Sequence, residues 1–499
     1  MYKNGIIYQT KLNSKYGDYN MKTNLKRNIE TLKEIFQNSN ELVVKEIKVG
    51  KKDCAIVYLL GLNNTEFLSK FVIEPLLNFK GEISNIEIIT SKILTLSECE
   101  KETETKEVVS QLLKGKGVLL IDSLKECLIL AVDQFKERSI SEPPTSTVLK
   151  GPRAGFVENL KTNLASIRKI LATPKLKTIN LKVGKETETA ISIVYIDGIA
   201  SQDIVNIVKN KIESVNIDGI IDSYYIASFL EEHPSSIFKQ IGNNEKPDIT
   251  ASKLLEGRVA IIVDGSPMVL TVPFIYMEDL QSGDDYYNNN TRASFVRWVR
   301  VFALIVSILT PGFYIAIVLH HYKAIPLKFL ITIVNTTKGL PLTPFAEILF
   351  VLILFEILYE ASLRMPKYLG LALSIVGALI LGDTAVQAGL ISPPAVLIVA
   401  ISGLSIYCVP DQAPQLYILR LLFTFAGAML GFFGITCLVI FLISYLSDFD
   451  NYGSPYLAPI SPLITSDLKD SIYKTDITNN YTRPKSIKNN LQNNTRQGK

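Results

Sequence analysis

WVRVFALIVSILTPGFYIAIVL (298–319) opens a block that closes with LLFTFAGAMLGFFGITCLVIFL (421–442), and most of what lies between is apolar enough for a bilayer. Val299 to Leu319 alone is long enough to cross a hydrocarbon core of ~30 Å as one helix. Pro311-Gly312 predicts a kink at its middle. Arg292, Arg297 and Arg300 stand at its entrance, so the positive-inside rule keeps the preceding residues cytoplasmic. Trp298, the single Trp, falls where an amphipathic ring sits at headgroup level.

The interruptions within the block are the informative part. Ile325 to Val334 is too short to span and reads as an interfacial or re-entrant piece. The next helix, 344–366, carries Glu356, Glu360 and Arg364 at i, i+4 and i+8 on one face, with Glu347 opposite. A charge at the bilayer centre costs about 3 kcal/mol even on lenient scales, so these groups face protein, water or the interface. They line a polar cavity or ion path, or else Glu360 and Arg364 form a packing pair near the cytoplasmic surface. Asp383 follows Gly382 inside an apolar run, and Ser392-Pro393-Pro394 then breaks the chain. Broken helices with a polar group at depth line cavities, where freed backbone groups find partners. The plain alternative for Asp383 is a helix-capping carboxylate at the interface. Gly370, Gly377, Gly382 and Gly389 recur on small-residue surfaces suited to close helix packing. Leu416 to Leu446 reads as one last long helix, with Gly427 and Gly431 spaced for helix contact. Four crossings with additional re-entrant pieces are expected.

The first 290 residues are rich in Lys, Glu and Asn, and they duplicate a unit. TNLKRNIETLKEIF begins at Thr23 and TNLASIRKIL at Thr162; each TN pair is placed to cap a helix. KEIKVGKKDCAIVYLLGL (45–62) matches INLKVGKETETAISIVYIDGI (179–199), with a hairpin after each Val-Gly. GKGVLLIDSLKECLILAV (115–132) matches EGRVAIIVDGSPMVLTVP (256–273), where Asp264-Gly265 is a strong turn signal. The expected fold is an α+β multi-domain membrane protein. An N-terminal extension (1–22), a first α/β lobe (23–140), a linker (141–161) and a second lobe (162–290) come first. A polytopic α-helical domain (291–447) and a basic, Pro/Asn-rich cytoplasmic tail (448–499) follow. The lobes read as thioredoxin-like mixed sheets, and the tail beyond residue 469 as disordered.

Two further stretches are candidate functional segments. The inter-lobe loop Gly151-Pro152-Arg153-Ala154-Gly155-Phe156 precedes a helix, where backbone N–H groups with Arg153 could hold an anion. Its simpler reading is a tight connector with Arg153 pinned to a carboxylate. YMEDLQSGDDYYNNNTRASFVRWVR (276–300) alternates acidic and basic groups. Asp284, Asp285, Tyr286, Arg297, Trp298 and Arg300 are placed to couple the second lobe to the membrane.

The net charge of +4 is too small to indicate nucleic acid, and Lys and Glu alternate as on a solvated surface. Five Cys without CxxC spacing and three scattered His argue against structural zinc. There is no secretory signal, phosphate loop or GxSxG elbow, so neither enzymatic activity nor a cofactor is expected.

EPPTSTVLKGPRAGFVENLKTNLASIRKIL (142–171), EGRVAIIVDGSPMVLTVPFIYMEDLQSGDDYY (256–287), ILYEASLRMPKYLG (357–370), SIVGALILGDTAVQAGLISPP (374–394) and GSPYLAPISPL (453–463) together resemble the A subunits of bacterial spore germinant receptors, the GerA family. Two departures stand out. A T-E-R-P-D-like pattern reads Asn244-Glu245-Lys246-Pro247-Asp248, which removes a bidentate guanidinium at 246. An S-F-G-x-P-Y exit reads Asn451-Tyr452-Gly453-Ser454-Pro455-Tyr456. The resemblance implies a multi-pass subunit of the spore inner membrane, working with a transporter-like B subunit and a lipoprotein C subunit. It implies assembly into a homo-oligomeric ring among membrane lipid that conducts ions when nutrient binds. An auxiliary scaffold of the same family and, less favoured, a secondary transporter are the alternatives.

Overall fold

The computed structural model describes residues 20–132, 150–364, 380–476 and 482–490, apart from positions 40, 82, 84, 95, 97 and 98. Most of the expected N-terminal extension, much of the linker, and Gly370 and Gly377 lie outside the described residues.

In the first lobe, α1 (Leu25–Ile35) begins where the Asn24 side chain accepts the Arg27 N–H, closing one of the orphan donors of the first turn. The hairpin of β1 (Leu42–Val49) and β2 (Lys52–Leu59) turns on Gly50 at φ +59°, a left-handed position. Then come β3 (Cys99–Glu102), α2 (Thr105–Leu113), β4 (Gly117–Ile121) and β5 (Cys127–Leu130). The sheet order is β1-β2-β4-β5-β3. Alternation along β2 feeds two cores: Ala55 and Val57 pack under α1 and α2, while Cys54 and Ile56 pack under the short helical pieces of 65–93. Both faces are covered, which is why β4 reads Gly-Val-Leu-Leu-Ile without polar alternation.

The second lobe repeats this plan. α3 (Leu160–Ile170), β6 (Leu176–Val183), β7 (Thr189–Ile196), α4 (Gln202–Glu213), α5 (Ser223–Leu230), β8 (Gly242–Asn244), α6 (Pro247–Glu256), β9 (Val259–Val263) and β10 (Val269–Val272) form a sheet ordered β6-β7-β9-β10-β8. Equivalent side chains do equivalent work. Asp122 accepts the Leu25 N–H at 3.2 Å and Asp264 the Leu160 N–H at 3.0 Å. Asn28 clasps the Lys22 backbone and Asn163 the Val157 backbone. Asn24 therefore corresponds to Asn159, the true cap of α3, and not to Asn163. The shared TNL text is out of phase with the structural repeat, because both Asn of the second copy sit in similar polar surroundings.

Every pairing in both sheets is antiparallel, which corrects the expected mixed, thioredoxin-like arrangement. The connection after β2 carries β3 to the far edge beyond β5, and β4 returns beside β2 running the opposite way. Parallel neighbours never meet. The lobes join through a buried Glu41–Arg168 ion pair; Glu41 also accepts from Thr178 at 2.7 Å, and Arg168 donates to the Leu176 carbonyl at 2.9 Å.

A short helix, α7 (Gly283–Tyr287), leads into α8 (Asn290–His320), about 46 Å long at 1.5 Å per residue. α9 (Leu327–Thr337) lies at its far end with only Ile333 buried. α10 (Pro344–Arg364) returns towards the lobe: Phe345 meets Phe425 and Tyr359 meets Tyr417. α11 (Pro393–Ile406) runs the same way, its start held by Glu347 and its end packed with Ala413 and Leu416. Among the described residues, 290–320 and 410–448 are long and apolar enough to cross a membrane.

α12 (Ala413–Asp448) is not the single straight helix expected. Gly431 adopts φ 61°, ψ −142°, and the chain doubles back there, bringing Gly434 against the Ala426 carbonyl. Both ends of α12 reach the lobe, Gln412 beside Asp279 and Tyr445 beside Ser236. Only glycine visits this backbone region readily, and the His320 and His321 rings close the space where a side chain would go. Gly312 and Gly427 meet backbone to backbone, fixing the crossing of α8 with the first arm of α12.

The tail is also ordered where described, against the expected disorder. Residues 450–476 and 482–490 return over the second lobe, and Asn489 bridges Ala200. Asn490 donates to the Ile199 carbonyl at 2.9 Å and Arg483 to the Leu255 carbonyl at 2.9 Å. α13 (Leu468–Ser471) lies within it. Its polar composition satisfies backbone groups of the lobe instead of remaining in solvent.

Glu41→Ala strands the Arg168 guanidinium in a dry interface and should lower unfolding stability by about 3–5 kcal/mol. Adding Arg168→Met should return most of that loss. Urea unfolding midpoints of the two variants check both statements.

Candidate functional site

The segment between β10 and α8 is where the lobe's polar side chains converge on the helices. Ser282 caps α7, and Asp285 reaches back to the Ser282 N–H, a reciprocal capping box that fixes the carboxylate. Asp285 then accepts from Arg297 Nε at 3.1 Å, Arg300 Nη1 at 2.7 Å and Arg300 Nη2 at 3.0 Å. Burial pushes its carboxyl up, but the Arg300 and Ser282 hydrogen bonds and the two guanidinium charges outweigh that and hold it below the usual carboxylate range. Arg297, fully buried, also donates to the Asp470 and Ser471 carbonyls of α13. Lys474 donates to the Asp285 and Asn288 carbonyls; burial and the Arg297 charge press its ammonium pKa down. Arg297 and Lys474 both lie over the Tyr286 ring. Four of the six expected coupling residues thus meet around one carboxylate. Trp298 points outward and is more than half exposed, as an interfacial anchor would be.

Asp284 faces the inter-lobe loop, accepting the Lys150 N–H at 3.2 Å. Gly151 has φ +114°, and a Cβ there would strike the Tyr287 ring at 2.6 Å. Tyr287 donates to Asp248 at 2.8 Å, within the Asn244–Asp248 motif, and Phe156 N–H donates to the Glu245 carbonyl. The loop is therefore seated on the joint. Pro152 and Arg153 are exposed while Gly155 is buried. The N-terminal N–H groups of α3 at Leu160 and Thr162 already bond Asp264 and Asn159, so an anion has poor access there. Lys246 is buried, 3.8 Å from Asp248, as a point charge.

Residues that the sequence reading missed complete the joint. Glu278 takes both Lys253 and Arg258 as buried partners. Burial and the Arg258 charge push the Lys253 ammonium pKa well down. Asp279 accepts from Lys239 at 2.9 Å and from Gln412 at 2.7 Å, tying a lobe loop to the start of α12. Burial raises the Asp279 carboxyl, with Lys239 opposing. Glu278-Asp279 between an apolar strand and an Arg-rich helix was the available signal; the partners are too distant in the chain for spacing to reveal them.

The charged side chains of the apolar block separate. Glu360 and Arg364 pair along α10 at an exposed position. Glu356 turns instead to the buried Arg420 of α12, 3.7 Å away. Asp383 lies exposed in a wide helical turn, Ile380–Thr384, and accepts from Gln387 at 2.7 Å. The capping carboxylate is Glu347, fully buried and bonded to the Ser392 N–H at the start of α11.

Asp285→Asn should cost about 3–5 kcal/mol by leaving two buried guanidinium groups undercompensated. A depressed carboxyl pKa contributes stability above the unfolded value of about 3.9 and loses it as pH falls through the folded value. The wild-type advantage over Asp285→Asn should be flat from neutrality to about pH 4 and shrink below it, as read from thermal unfolding across pH.

A family model described as Bacillus/Clostridium GerA spore germination protein matches residues 30–486. Spore germination protein KA of Bacillus subtilis strain 168 is 34% identical over 483 residues, covering 95% of this chain and 88% of the relative. Spore germination protein B1 of the same organism is 31% identical over 481 residues, covering 95% and 99%. The crystal structure of the N-terminal domain of the A subunit of the Bacillus megaterium spore germinant receptor GerK3 aligns with a TM-score of 0.40 and 28% identity, covering 52% of this chain and 98% of that one. The chain belongs to the GerA family of spore germination proteins.

Proposed function

We propose that this chain is the A subunit of a nutrient germinant receptor of the spore inner membrane, and that several copies assemble around an ion path that opens when nutrient is sensed. The observation that carries this reading is the outward direction of polar groups on the membrane helices. Glu356 is half-exposed and Asp383 exposed in a single chain. A carboxylate facing lipid costs about 3 kcal/mol or more near the bilayer centre, so these faces require a neighbouring subunit or a hydrated lumen. Gly382, Gly389 and Gly403 have open space where a Cβ would sit, which suits close approach of another helix.

Contacts at the helix ends support a direction for each described helix. α8 leaves the lobe, and α10 and α11 each run back towards it. The two arms of α12, each about 26 Å long, leave and return. The lobes and tail then share one side, the cytoplasmic one by the Arg292, Arg297 and Arg300 cluster. A transporter-like B subunit and a lipoprotein C subunit are the proposed partners, with the joint passing their signal to the helices.

In a Cys-free chain, Gly339→Cys should react with an impermeant thiol reagent from the side opposite the lobe, and Asp411→Cys only from the lobe side. The reverse pattern sinks the topology. In spores, Glu356→Gln and Asp383→Asn should slow nutrient-triggered potassium release by about tenfold at unchanged receptor level, each having removed a charge worth at least 1–2 kcal/mol at depth. Wild-type release in both removes the pore assignment.

A further inference from the structure

Among the described residues, Arg420 differs from the buried Arg168, Arg258 and Arg297 in having no carboxylate within hydrogen-bond distance. At the joint, Arg297 and Arg300 hold Asp285 at 2.7–3.1 Å. Arg420 is just as buried, yet Glu356 stands 3.7 Å from its guanidinium, beyond hydrogen-bond reach. Ser402 Oγ lies at 3.5 Å, and Nε has no hydrogen-bond partner among the described residues. The remaining stabilisation is aromatic: the guanidinium lies over the Tyr417 ring at 5.2 Å, and Tyr417, Tyr359 and Tyr407 stand in a row at 5.3 and 6.2 Å. Ser402 in turn donates to the Ser307 carbonyl at 2.7 Å, so the Ser402–Tyr417 seat of Arg420 is anchored to α8, α11 and α12 together, while Tyr359 belongs to α10.

The two partners differ in surroundings. Arg420 is enclosed by protein, whereas Glu356 has one side towards Arg420 and the other towards the outer surface of the chain. A guanidinium can rest on Ser402 and Tyr417 without the carboxylate; the carboxylate, on a membrane helix, needs a cation or water at all times. The contact is loose enough to be exchanged and near enough to neutralise.

Resting on the ion-path reading, we propose that Arg420 is a tethered counter-cation for Glu356: it occupies the place beside the carboxylate that a conducted monovalent cation takes when the path opens. With Arg420 engaged, the site is neutral and holds no free cation. When α10 shifts from α12, taking Glu356 and Tyr359 with it, Arg420 stays on Ser402 and Tyr417 and Glu356 is left to bind potassium, sodium or ammonium from the lumen. Arg420 is a positioning and selectivity residue in this scheme, and Glu356 the group that meets the ion.

The test uses the full chain in phosphatidylethanolamine–phosphatidylglycerol vesicles, with potassium and chloride permeability measured separately. Arg420→Gln should raise resting potassium permeability by about tenfold, the effect of freeing one buried counter-charge, and Arg420→Lys should stay near wild type. Glu356→Gln should lower the preference for potassium over chloride. The exchange Glu356→Arg with Arg420→Glu should restore a low resting leak. A monodisperse Arg420→Gln protein whose potassium permeability is unchanged or lower overturns the proposal. Should Arg420→Gln fail to reconstitute, Glu356→Gln decides alone: lost selectivity supports the proposal and unchanged selectivity overturns it. Potassium flux in wild type with indifferent variants defeats this inference only. Absence of flux in wild type and all variants defeats the ion-path reading, and this inference with it.

Discussion

The Asp285 carboxylate, clasped by Arg297 and Arg300, is the contact that sets the second lobe against the long apolar helices. One side of it is set by local chemistry, the capping box with Ser282. The other side is supplied by the first turns of α8. A helix entering a bilayer has no intrinsic orientation relative to the domain before it; a bidentate guanidinium–carboxylate pair imposes one, because planar groups must align to share two hydrogen bonds. Through Arg297 the same carboxylate also positions the tail, and through Asp284 and Tyr287 its helix receives the inter-lobe loop. Three remote parts of the chain thus converge on five residues of α7.

Close pairing here and loose pairing at Arg420 are two uses of one residue type. A buried guanidinium hydrogen-bonded to a carboxylate is expensive to disturb and serves as a fixed joint. One whose carboxylate partner stands beyond hydrogen-bond range is held mainly by packing and aromatic faces. Such a group has somewhere else to go at modest cost. The protein places the first kind where lobe meets helix and the second where helix meets helix within the apolar block.

Much of this was legible in the sequence because it depends on local pattern. Val-Gly and Asp-Gly announced hairpins that the structure contains, since positive φ selects glycine at those turns. The acidic–basic alternation of 284–300 marked residues that do meet. Other features depended on partners brought together only by folding. Glu278 with Lys253 and Arg258, Asp279 with Gln412, and Glu356 with Arg420 have no fixed spacing to reveal them. The reversal at Gly431 hid behind continuous hydrophobicity, which cannot distinguish one long helix from two arms. The phase of the duplication was misread because two copies of a short polar string matched better than the equivalent caps did. The tail was misread because polarity alone does not say whether a segment's hydrogen bonds go to water or to a neighbouring sheet edge.

The way the helices are fastened to the second lobe has a mechanical consequence. They are held at three separate places: the entrance of α8 through Asp285, the start of α12 through Asp279, and the exit of α12 through Tyr445 and the returning tail. A body pinned at one point pivots freely; pinned at two it turns about a single axis; pinned at three points off one line it has no independent rotation left. Three fastenings restrain the lobe-proximal layer of the bundle against turning independently of the second lobe. Displacement that changes the bundle's interior must come from its unpinned parts, the ends remote from the lobe and the helices between α8 and α12, or from one whole chain moving against its neighbour.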